Sequence, residues 1–442
     1  MRKEENTRMD SLWRSTCPLP AFPALRGTME ADVVVVGGGL CGLLTAYFCM
    51  KAGLDTVTLE GERILCGVTQ GTTAKITSQH GLLYDRLIQK RGVEKARQYA
   101  QAQQRAVGRY ADLVTSLAID CDFSKLPAYL YSVQASPALE RECRAAERLG
   151  LPASLTGADR LPFPASQALC FADQAQFHPL RFAAAIATRL NIRERSRVLR
   201  ITNNSVYTDA GEVRARHIVI CTHYPIRNVP GFYFARMHQS RGYVLALENA
   251  ADVDGMWLDA RDGGYSLRNV GRLLLLGGHG HRTGDHPYAS SFRLLRGAAK
   301  EFYPDAREVA RWSAQDCMTA DAVPFIGRFA RFLPNVYVAT GFNKWGMTNS
   351  MAAAELIADR IAGKKEYPFA DVFSPGRRTG MEVKYSIKKT PKCTHMGCSL
   401  EWNPDTRTWD CPCHGSRFTR GGRVIDTPAI RDGRWGEHDH PL

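Results

Sequence analysis

Residues 32–42 read DVVVVGGGLCG, and this stretch decides the fold of the N-terminal part of the chain. The four valines predict a buried parallel strand, and the LLTAYFCMKAG that follows has the composition of a helix. Gly37, Gly39 and Gly42 have the G-x-G-x-x-G spacing. In such a turn the first glycine permits the bend, the second lets the backbone approach a pyrophosphate, and the third lets the helix pack on the strand. The stretch predicts a dinucleotide site at a helix N-terminus.

Two short boxes near the C-terminus carry the second signal: CTHMGC at residues 393–398 and CPCHGS at residues 411–416. A Rieske centre needs two thiolates on one iron and two imidazoles on the other. The boxes supply these four ligands as Cys393, His395, Cys411 and His414. A structural zinc site is the alternative, but Cys/His zinc modules do not usually have this box composition. The boxes therefore predict a [2Fe–2S] cluster.

The acidic partner of the glycine turn is Glu60, which ends the next predicted strand, TVTLE. A carboxylate about twenty residues after the fingerprint can accept both ribose hydroxyls of a dinucleotide. A second glycine-rich stretch around Gly277–Gly280 follows an apolar run, but no helical pattern follows it. The chain thus contains one dinucleotide-binding fingerprint together with a predicted [2Fe–2S] cluster, and this combination favours FAD over NAD.

Composition sets wider limits. The 442 residues have a formal net charge of +14 and contain 13 cysteines, nine of them dispersed without metal-ligand spacing. Basic residues are scattered among acidic ones and no nucleic-acid motif is present, so we expect no nucleic-acid partner. The positive net charge favours an acidic electron-transfer protein as the partner. We also expect no membrane span, no secretory signal and a cytoplasmic location.

The predicted fold class is α/β followed by β, with a Rossmann-like FAD-binding domain, an antiparallel substrate domain and a small all-β Rieske domain. Residues 1–30 are predicted as an arm, residues 31–372 as the oxidoreductase, residues 373–380 (FSPGRRTG) as a linker and residues 381–442 as the Rieske domain. Within the oxidoreductase, the FAD-binding parts are assigned to residues 31–110, 160–235 and 312–372, and the substrate parts to residues 111–159 and 236–311. Helical periodicity runs from about Gly92 to Leu117.

Residues 31–372 resemble the D-amino-acid-oxidase-like FAD oxidoreductases, the group that includes glycine and sarcosine oxidases. The resemblance lies in VVVVGGGLCG, Glu60, GVTQGTTAKITSQHG, HIVICTHYP and ATGFNKWGMT. WRST near the start, TTAKITSQHG and CTHMGC resemble more closely a bacterial subgroup with a fused Rieske domain. The resemblance implies that these residues bind FAD: Gly37, Gly39, Leu40, Gly42, Glu60, Thr72, Thr73, Ala74, Lys75, Val198, Thr222, Gly341, Gly346, Met347 and Thr348.

The boxes also resemble those of cytochrome-bc-type Rieske proteins, in which an equivalent cysteine pair is bridged. This resemblance implies a disulfide between Cys398 and Cys413. The chain departs from the sarcosine-oxidase-like members in the flavin-facing stretch, where serine and arginine are usual and this chain has Thr69, Thr72, Thr73 and Lys75. The resemblance therefore does not fix the substrate.

Catalytic candidates come from the stretch that would face the flavin. Lys75 would place a cation near the isoalloxazine, where it would stabilise the reduced anionic flavin. His80 is either a flavin-contacting residue or a structural one. Arg241 and Tyr243 are weaker candidates for lining the substrate cavity.

The leading hypothesis is a dehydrogenase that takes a hydride from a carbon beside an amine, or less readily a hydroxyl, and passes electrons singly through the cluster to an external acceptor. One alternative is a reductase component that delivers electrons to an oxygenase or another acceptor. A second alternative is a redox-sensing protein whose cofactors report potential without turnover.

Overall fold

The computed structural model describes residues 10–227, 229–285, 290–364, 368–382, 384, 386–388 and 390–435. These residues form the helices α1 (Leu12–Thr16), α2 (Leu40–Lys51), α3 (Val68–Gly71), α4 (Tyr84–Ser116), α5 (Pro137–Arg148), α6 (Pro179–Ala187), α7 (Ser291–Phe302), α8 (Gly346–Ile361) and α9 (Ala370–Phe373). None of the helices within these ranges combines the length and apolar character that crossing a bilayer requires.

The strands of the same residues are β1 (Gly27–Val36), β2 (Thr56–Leu59), β3 (Lys75–Ile76), β4 (Ser124–Lys125), β5 (Ala128–Ser132), β6 (Ala153–Thr156), β7 (Gln167–Phe171), β8 (Ala175–Gln176), β9 (Asn191–Arg193), β10 (Arg200–Ile201), β11 (Ser205–Tyr207) and β12 (Gly211–Ile220). They continue with β13 (Met237–Glu248), β14 (Met256–Asp259), β15 (Ser266–Val270), β16 (Leu273–Arg282), β17 (Arg307–Thr319), β18 (Phe325–Ala330), β19 (Leu333–Thr340), β20 (Glu401–Asn403), β21 (Thr408–Asp410), β22 (Arg417–Phe418) and β23 (Val424–Asp426).

The first sheet has a parallel centre built on the valine run. β1 lies between β2 and β12, with Val33 opposite Thr56 on one side and His217 on the other. The four valines at residues 33–36 are buried on both faces of the sheet. Val33 and Val35 pack among residues of helices such as α2 and α8, whereas Val34 and Val36 pack on residues of strands and loops, including Phe325 and Phe329. β19 continues the sheet beyond β12 in parallel. This arrangement places the carboxyl ends of β1, β2 and β12 side by side, which is where ligands bind in such sheets.

The second sheet is mainly antiparallel, in the order β17-β13-β16-β15-β14-β5-β7-β6. It includes β7 and β17, although the boundaries predicted from the sequence put residues 160–235 and 312–372 wholly with the FAD-binding parts. The residue pairs that place these two strands join segments far apart in the chain, and short apolar runs carry no mark of such pairing. The helix predicted from Gly92 is confirmed, but it begins earlier, at Tyr84, and Gly92 interrupts its regular backbone.

The C-terminal domain is a small four-stranded antiparallel sheet of β20 to β23. Its core contains four cysteines together with Leu400, Trp409 and Phe418. So small a core supplies little stability of its own, and the domain instead packs on the second sheet. The predicted linker is also fixed, because Arg377 bonds to the Pro324 carbonyl oxygen at 2.8 Å and pairs with Asp321 at 2.9 Å. The prediction of an α/β fold followed by a β domain is confirmed.

Candidate active site and cluster site

The glycine turn between β1 and α2 has two kinds of glycine. A β-carbon on Gly37, whose φ is +112°, would lie 2.5 Å from the Cys221 carbonyl oxygen, and one on Gly42 would lie 1.9 Å from the Gly37 carbonyl oxygen. These two glycines are required by the packing of the chain itself. A β-carbon on Gly39 would meet only the Thr69 hydroxyl, at 3.5 Å. Gly39 therefore leaves open space at the N-terminus of α2, which fits a pyrophosphate there.

Glu60 is anchored at the edge of this turn. One carboxylate oxygen accepts from the Gly38 amide at 2.7 Å and the other accepts from the Glu62 amide at 2.9 Å. Burial raises the pKa of Glu60, and these backbone donors partly offset that shift. The carboxylate is thus held beside the fingerprint, where the ribose of a dinucleotide would lie.

A cavity of about 810 Å³ runs from this turn to the second sheet. Most of the predicted FAD-binding residues line it: Gly37, Gly39, Leu40, Glu60, Thr72, Thr73, Lys75, Val198, Thr222, Gly346 and Met347. Four do not line it: Gly42, Ala74, Gly341 and Thr348. These four residues make other contacts: Gly42 packs on Gly37, Ala74 is fully buried, Gly341 packs on Thr319, and the Thr348 hydroxyl donates to the Thr77 carbonyl oxygen.

Lys75 lines the cavity and lies against β15. Its Nζ donates to the Ser266 hydroxyl. Desolvation lowers the pKa of Lys75 to about 7, and the nearby Arg268 adds to this effect. Arg268 itself is held in place, because its guanidinium donates to the carbonyl oxygens of Thr73 and Ala74 at 2.6 and 2.8 Å. A lysine with such a pKa can accept a proton near neutral pH.

His80 also lines the cavity, but its ring is fully engaged. Nδ1 bonds with the Tyr99 hydroxyl at 2.7 Å, Nε2 lies 2.9 Å from the Thr77 carbonyl oxygen, and the ring stacks on Trp345 at 4.6 Å. Burial lowers the pKa of His80 to about 3. These contacts favour a neutral imidazole that positions Trp345, while the predicted catalytic role stays a prediction.

The interpretation of Arg241 as a cavity-lining residue is wrong. The Arg241 side chain is fully buried and points to the C-terminal domain, where it bonds to Thr406 at 3.3 Å and pairs with Asp410 at 3.9 Å. Tyr243 is among the cavity-lining residues, but its hydroxyl also accepts from Nδ2 of Asn403 in the C-terminal domain, at 3.4 Å. Side chains alternate along β13, so Arg241 and Tyr243, two residues apart, share one face of the strand. The sequence showed that alternation, but it did not show that a second domain covers this face.

The two C-terminal boxes meet at one point. The Cys393 and Cys411 thiols contact each other, and the His395 and His414 rings lie 5.0 Å apart. The structure therefore pairs sulfur with sulfur and imidazole with imidazole, as the Rieske ligand set requires. Nδ1 of His414 is buried without a hydrogen-bond partner. An orphaned imidazole nitrogen in a polar site fits a metal ligand.

The remaining two cysteines of the boxes lie beside these ligands. The sulfur atoms of Cys398, Cys411 and Cys413 are all within 4.8 Å of one another, and all three residues are buried. Contacts from the Cys393, Cys398 and Cys413 thiols lower the pKa of Cys411, whereas the contact with Cys411 raises the pKa of Cys393, so these contacts favour a thiolate at Cys411 alone. Cys398 and Cys413 are free cysteines in the structure, so their bridge stays a prediction.

A polar contact that the sequence analysis missed joins the two parts of the chain, and we call it the glutamine seat (Gln239 and Gln315). Gln239 Nε2 donates to the His414 and Thr427 carbonyl oxygens at 2.8 and 2.9 Å. Gln315 Nε2 donates to the Gly415 carbonyl oxygen at 2.8 Å and to Gln239 Oε1 at 2.6 Å. The two strands show polar residues at intervals, but that pattern does not indicate which part of the chain the glutamines contact.

The glutamine seat lies on the back of the strands that line the cavity. His238 on β13 and Asp316 on β17 neighbour the two glutamines and line the cavity from the opposite face. The close approach needs Gly415, whose β-carbon would lie 2.6 Å from Cβ of Gln239. The C-terminal domain also reaches the cavity directly, through a wall formed by residues 424–427 and Ile430. Cavity and cluster site are thus parts of one assembly.

Comparisons with known proteins agree with this arrangement. Residues 32–360 match the family model described as FAD dependent oxidoreductase (DAO), and residues 389–434 match the Rieske [2Fe-2S] domain. The chain is similar to the Rieske 2Fe-2S iron-sulfur protein YhfW of Bacillus subtilis, with 34% identity over 96% of both chains. It is also similar to gamma-glutamylputrescine oxidoreductase of Escherichia coli, with 25% identity over 81% of this chain and 91% of the relative. Glycine oxidase from Geobacillus kaustophilus shares the fold, with a TM-score of 0.69 and 18% identity over 80% of this chain and all of that one.

Proposed function

Because the chain belongs to the DAO family of FAD-dependent oxidoreductases and ends in a Rieske [2Fe-2S] domain, we propose that it oxidises an amine or amino-acid-type substrate and releases the electrons singly through its own cluster to an external acceptor. Its cofactors are FAD and one Rieske cluster. FAD accepts a hydride's two electrons when bound, whereas the cluster carries one electron at a time. The two together suit a two-electron substrate and a one-electron partner.

The observation that carries the proposal is the glutamine seat. Gln239 and Gln315 donate directly to the carbonyl oxygens of His414 and Gly415, in the second ligand loop of the cluster. Both glutamines are almost completely buried, and buried polar groups that are fully paired fix one arrangement of the parts they join. A cluster held in this way stays at the back of the flavin cavity throughout turnover, as an internal electron outlet requires.

The substrate class is supported by Lys75 and by the relatives. With its pKa lowered to about 7, Nζ of Lys75 can accept a proton from the ammonium group of an incoming substrate. The substrate amine is then neutral, and the carbon beside its nitrogen can give up a hydride. The Ser266 hydroxyl holds that amine of Lys75 in place through their hydrogen bond. The relatives named for gamma-glutamylputrescine and glycine are oxidoreductases of compounds with an amino group.

The reductase alternative needs a second site for a nicotinamide nucleotide. Within the described residues, the second glycine-rich stretch, Gly277–Gly280, lies inside the antiparallel strand β16 and not at a strand–helix turn. This placement favours the dehydrogenase over a reductase driven by a nicotinamide nucleotide. The redox-sensing alternative differs from both enzyme functions in its prediction that no substrate reduces the flavin.

One experiment separates the three functions. Anaerobic holoenzyme is mixed in turn with a panel of amines and amino acids, with NADH and with NADPH, while flavin absorbance and the cluster EPR signal are recorded. We expect at least one amine to bleach the flavin and the cluster signal to follow. Reduction by NADH or NADPH alone would establish the reductase instead, and a flavin that no compound bleaches would establish the sensor.

A further inference from the structure

We propose that the holoenzyme delivers electrons to an acidic one-electron carrier protein that docks on an apolar surface beside His395, made of Val229, Phe232, Phe234 and Met396. We call it the His395 surface. The inference rests on the proposed direction of electron flow, and it names the site and the chemistry of the acceptor.

The two histidine ligands face different surroundings. His414 is only 6% exposed, because its loop sits on the glutamine seat and the Phe234 ring lies 5.8 Å from its ring. His395 is half-buried, and its neighbour Met396 is 45% exposed. A partner protein can therefore approach the cluster from the side of His395 but not from the side of His414.

The oxidoreductase part supplies the rest of this surface through the loop before β13. The Phe234 ring lies 6.5 Å from the His395 ring, and the Phe232 ring lies 6.0 Å from the Phe234 ring. The aromatic rings thus lead in a continuous row from the imidazoles to solvent. Phe232 is 53% exposed and Val229, in the same loop, is 58% exposed. Exposed apolar side chains beside such a row of rings are typical of protein interaction sites.

The backbone of Phe232 gives independent support. Its φ is 49° and its ψ is 40°, in the left-handed region. This conformation is uncommon for any residue other than glycine, and for a bulky aromatic it costs free energy. The chain therefore accepts backbone strain in order to hold an apolar ring out in water, next to a redox centre. Strained residues of this kind cluster at functional sites.

Charge selects the partner. Residues 381–442 contain ten basic and eight acidic side chains. The six acids among the described residues of the range 381–435 already accept hydrogen bonds or ion pairs from groups of this chain: Glu382, Glu401, Asp405, Asp410, Asp426 and Asp432. Arg431 is exposed, and its carbonyl oxygen accepts from the Thr394 hydroxyl at 2.6 Å, next to His395 in the chain. Lys392 is also exposed, although its ammonium group donates to the Lys388 carbonyl oxygen and the Ser399 hydroxyl. An apolar centre with a basic rim fits an acidic partner protein.

The test uses holoenzyme reduced with dithionite, so it does not depend on knowing the substrate. Stopped-flow absorbance follows the oxidation of this protein by acidic plastocyanin and, for comparison, by basic cytochrome c. We expect the second-order rate constant for plastocyanin to exceed that for cytochrome c at low salt and to fall about tenfold or more as salt is added. A faster reaction with cytochrome c would overturn the acidic partner.

A matched pair of double variants locates the docking site. Phe232→Asn with Arg431→Glu changes the His395 surface, and asparagine tolerates the left-handed backbone. Phe332→Asn with Arg331→Glu makes the same chemical changes at an exposed turn between β18 and β19, where Phe332 is 71% exposed. We expect the first pair to lower the plastocyanin rate constant about tenfold or more, with unchanged FAD content and cluster EPR, and the second to leave it within about twofold.

Each outcome has one meaning. Equal losses in the two double variants would show that net charge alone attracts the partner, which overturns the surface. No loss in the first pair would place docking elsewhere, and so would overturn it as well. If substrate still reduces the cluster normally in that variant, the proposed function stands even though the His395 surface does not.

Discussion

The side-chain amide of Gln239 donates a hydrogen bond to the carbonyl oxygen of His414 across 2.8 Å. One residue belongs to a strand that lines the flavin cavity, and the other is a predicted ligand of the cluster. The bond is buried, so it is worth more than a surface contact and costly to break. It makes the Rieske domain a fixed part of the oxidoreductase and not a module carried on a tether.

Replacing Gln239 tests this relationship. Gln239→Leu leaves the His414 and Thr427 carbonyl oxygens buried without their donor, which costs about 2 kcal/mol in the free energy of unfolding. We expect unchanged FAD content, a lower melting temperature and slower reduction of the cluster after the flavin. Gln103→Leu is the control, because Gln103 is equally buried but bonds to Asn349 inside the oxidoreductase. Equal rates of cluster reduction in the two variants would show that the glutamine seat has no part in electron transfer.

The glycine turn gives a prediction about FAD. A β-carbon on Gly39 meets only the Thr69 hydroxyl at 3.5 Å, so Gly39→Ala should fold. It should nevertheless lose FAD, because the methyl group takes the space of the pyrophosphate. Gly108→Ala, in α4 and with no atom near its β-carbon, should keep FAD fully. Flavin released by acid precipitation measures both, and full FAD in Gly39→Ala would refute the fingerprint.

Local pattern explains what could be predicted from the sequence. The predicted ligands Cys393 and His395 lie two residues apart, and the predicted ligands Cys411 and His414 lie three apart, so each box can be recognised without knowing the fold. The same holds for the turn at Gly37 and its strand and helix. The glutamine seat could not be found in this way, because Gln239 and His414 are 175 residues apart and a glutamine in a strand has no local signature.

The misplacement of Arg241 has the same origin. Arg241 lies in a strand predicted for the substrate domain, which made it a weak candidate for lining the cavity, but its partner Asp410 belongs to the C-terminal domain. Phe234 was missed for a similar reason, since only the docked arrangement brings its ring to His414. Contacts between distant segments depend on packing, which a motif does not encode.

The pKa of Lys75 predicts how the flavin half-reaction depends on pH. Desolvation lowers this pKa from its ordinary value of 10.5 to about 7, so the neutral amine becomes the major form as pH rises through that value. If neutral Lys75 accepts the substrate proton, bleaching of the flavin should speed up between about pH 6 and 8 and then level off. Lys75→Met should be slow and lose this rise. An unchanged pH profile in that variant would exclude Lys75 as the base.

The pairing of Cys398 with Cys413 can be tested chemically. A bridge closing this loop of about 15 residues would stabilise the domain by about 3 kcal/mol. Non-reducing peptide mapping should recover the two cysteines linked, and Cys413→Ala should lower cluster content without changing FAD. Cys49→Ala, a buried cysteine on α2, is the control and should leave the cluster intact. Free thiols at both positions in anaerobically prepared protein would end this prediction.

The most direct test of the account is a single turnover followed at both cofactors. Anaerobic holoenzyme is mixed rapidly with the amine that bleaches its flavin, without any acceptor, and samples are freeze-quenched for EPR while absorbance records the flavin. We expect the reduced cluster signal to appear within the same turnover in which the flavin is bleached. A flavin that stays fully reduced over many turnover times beside an oxidised cluster would contradict it.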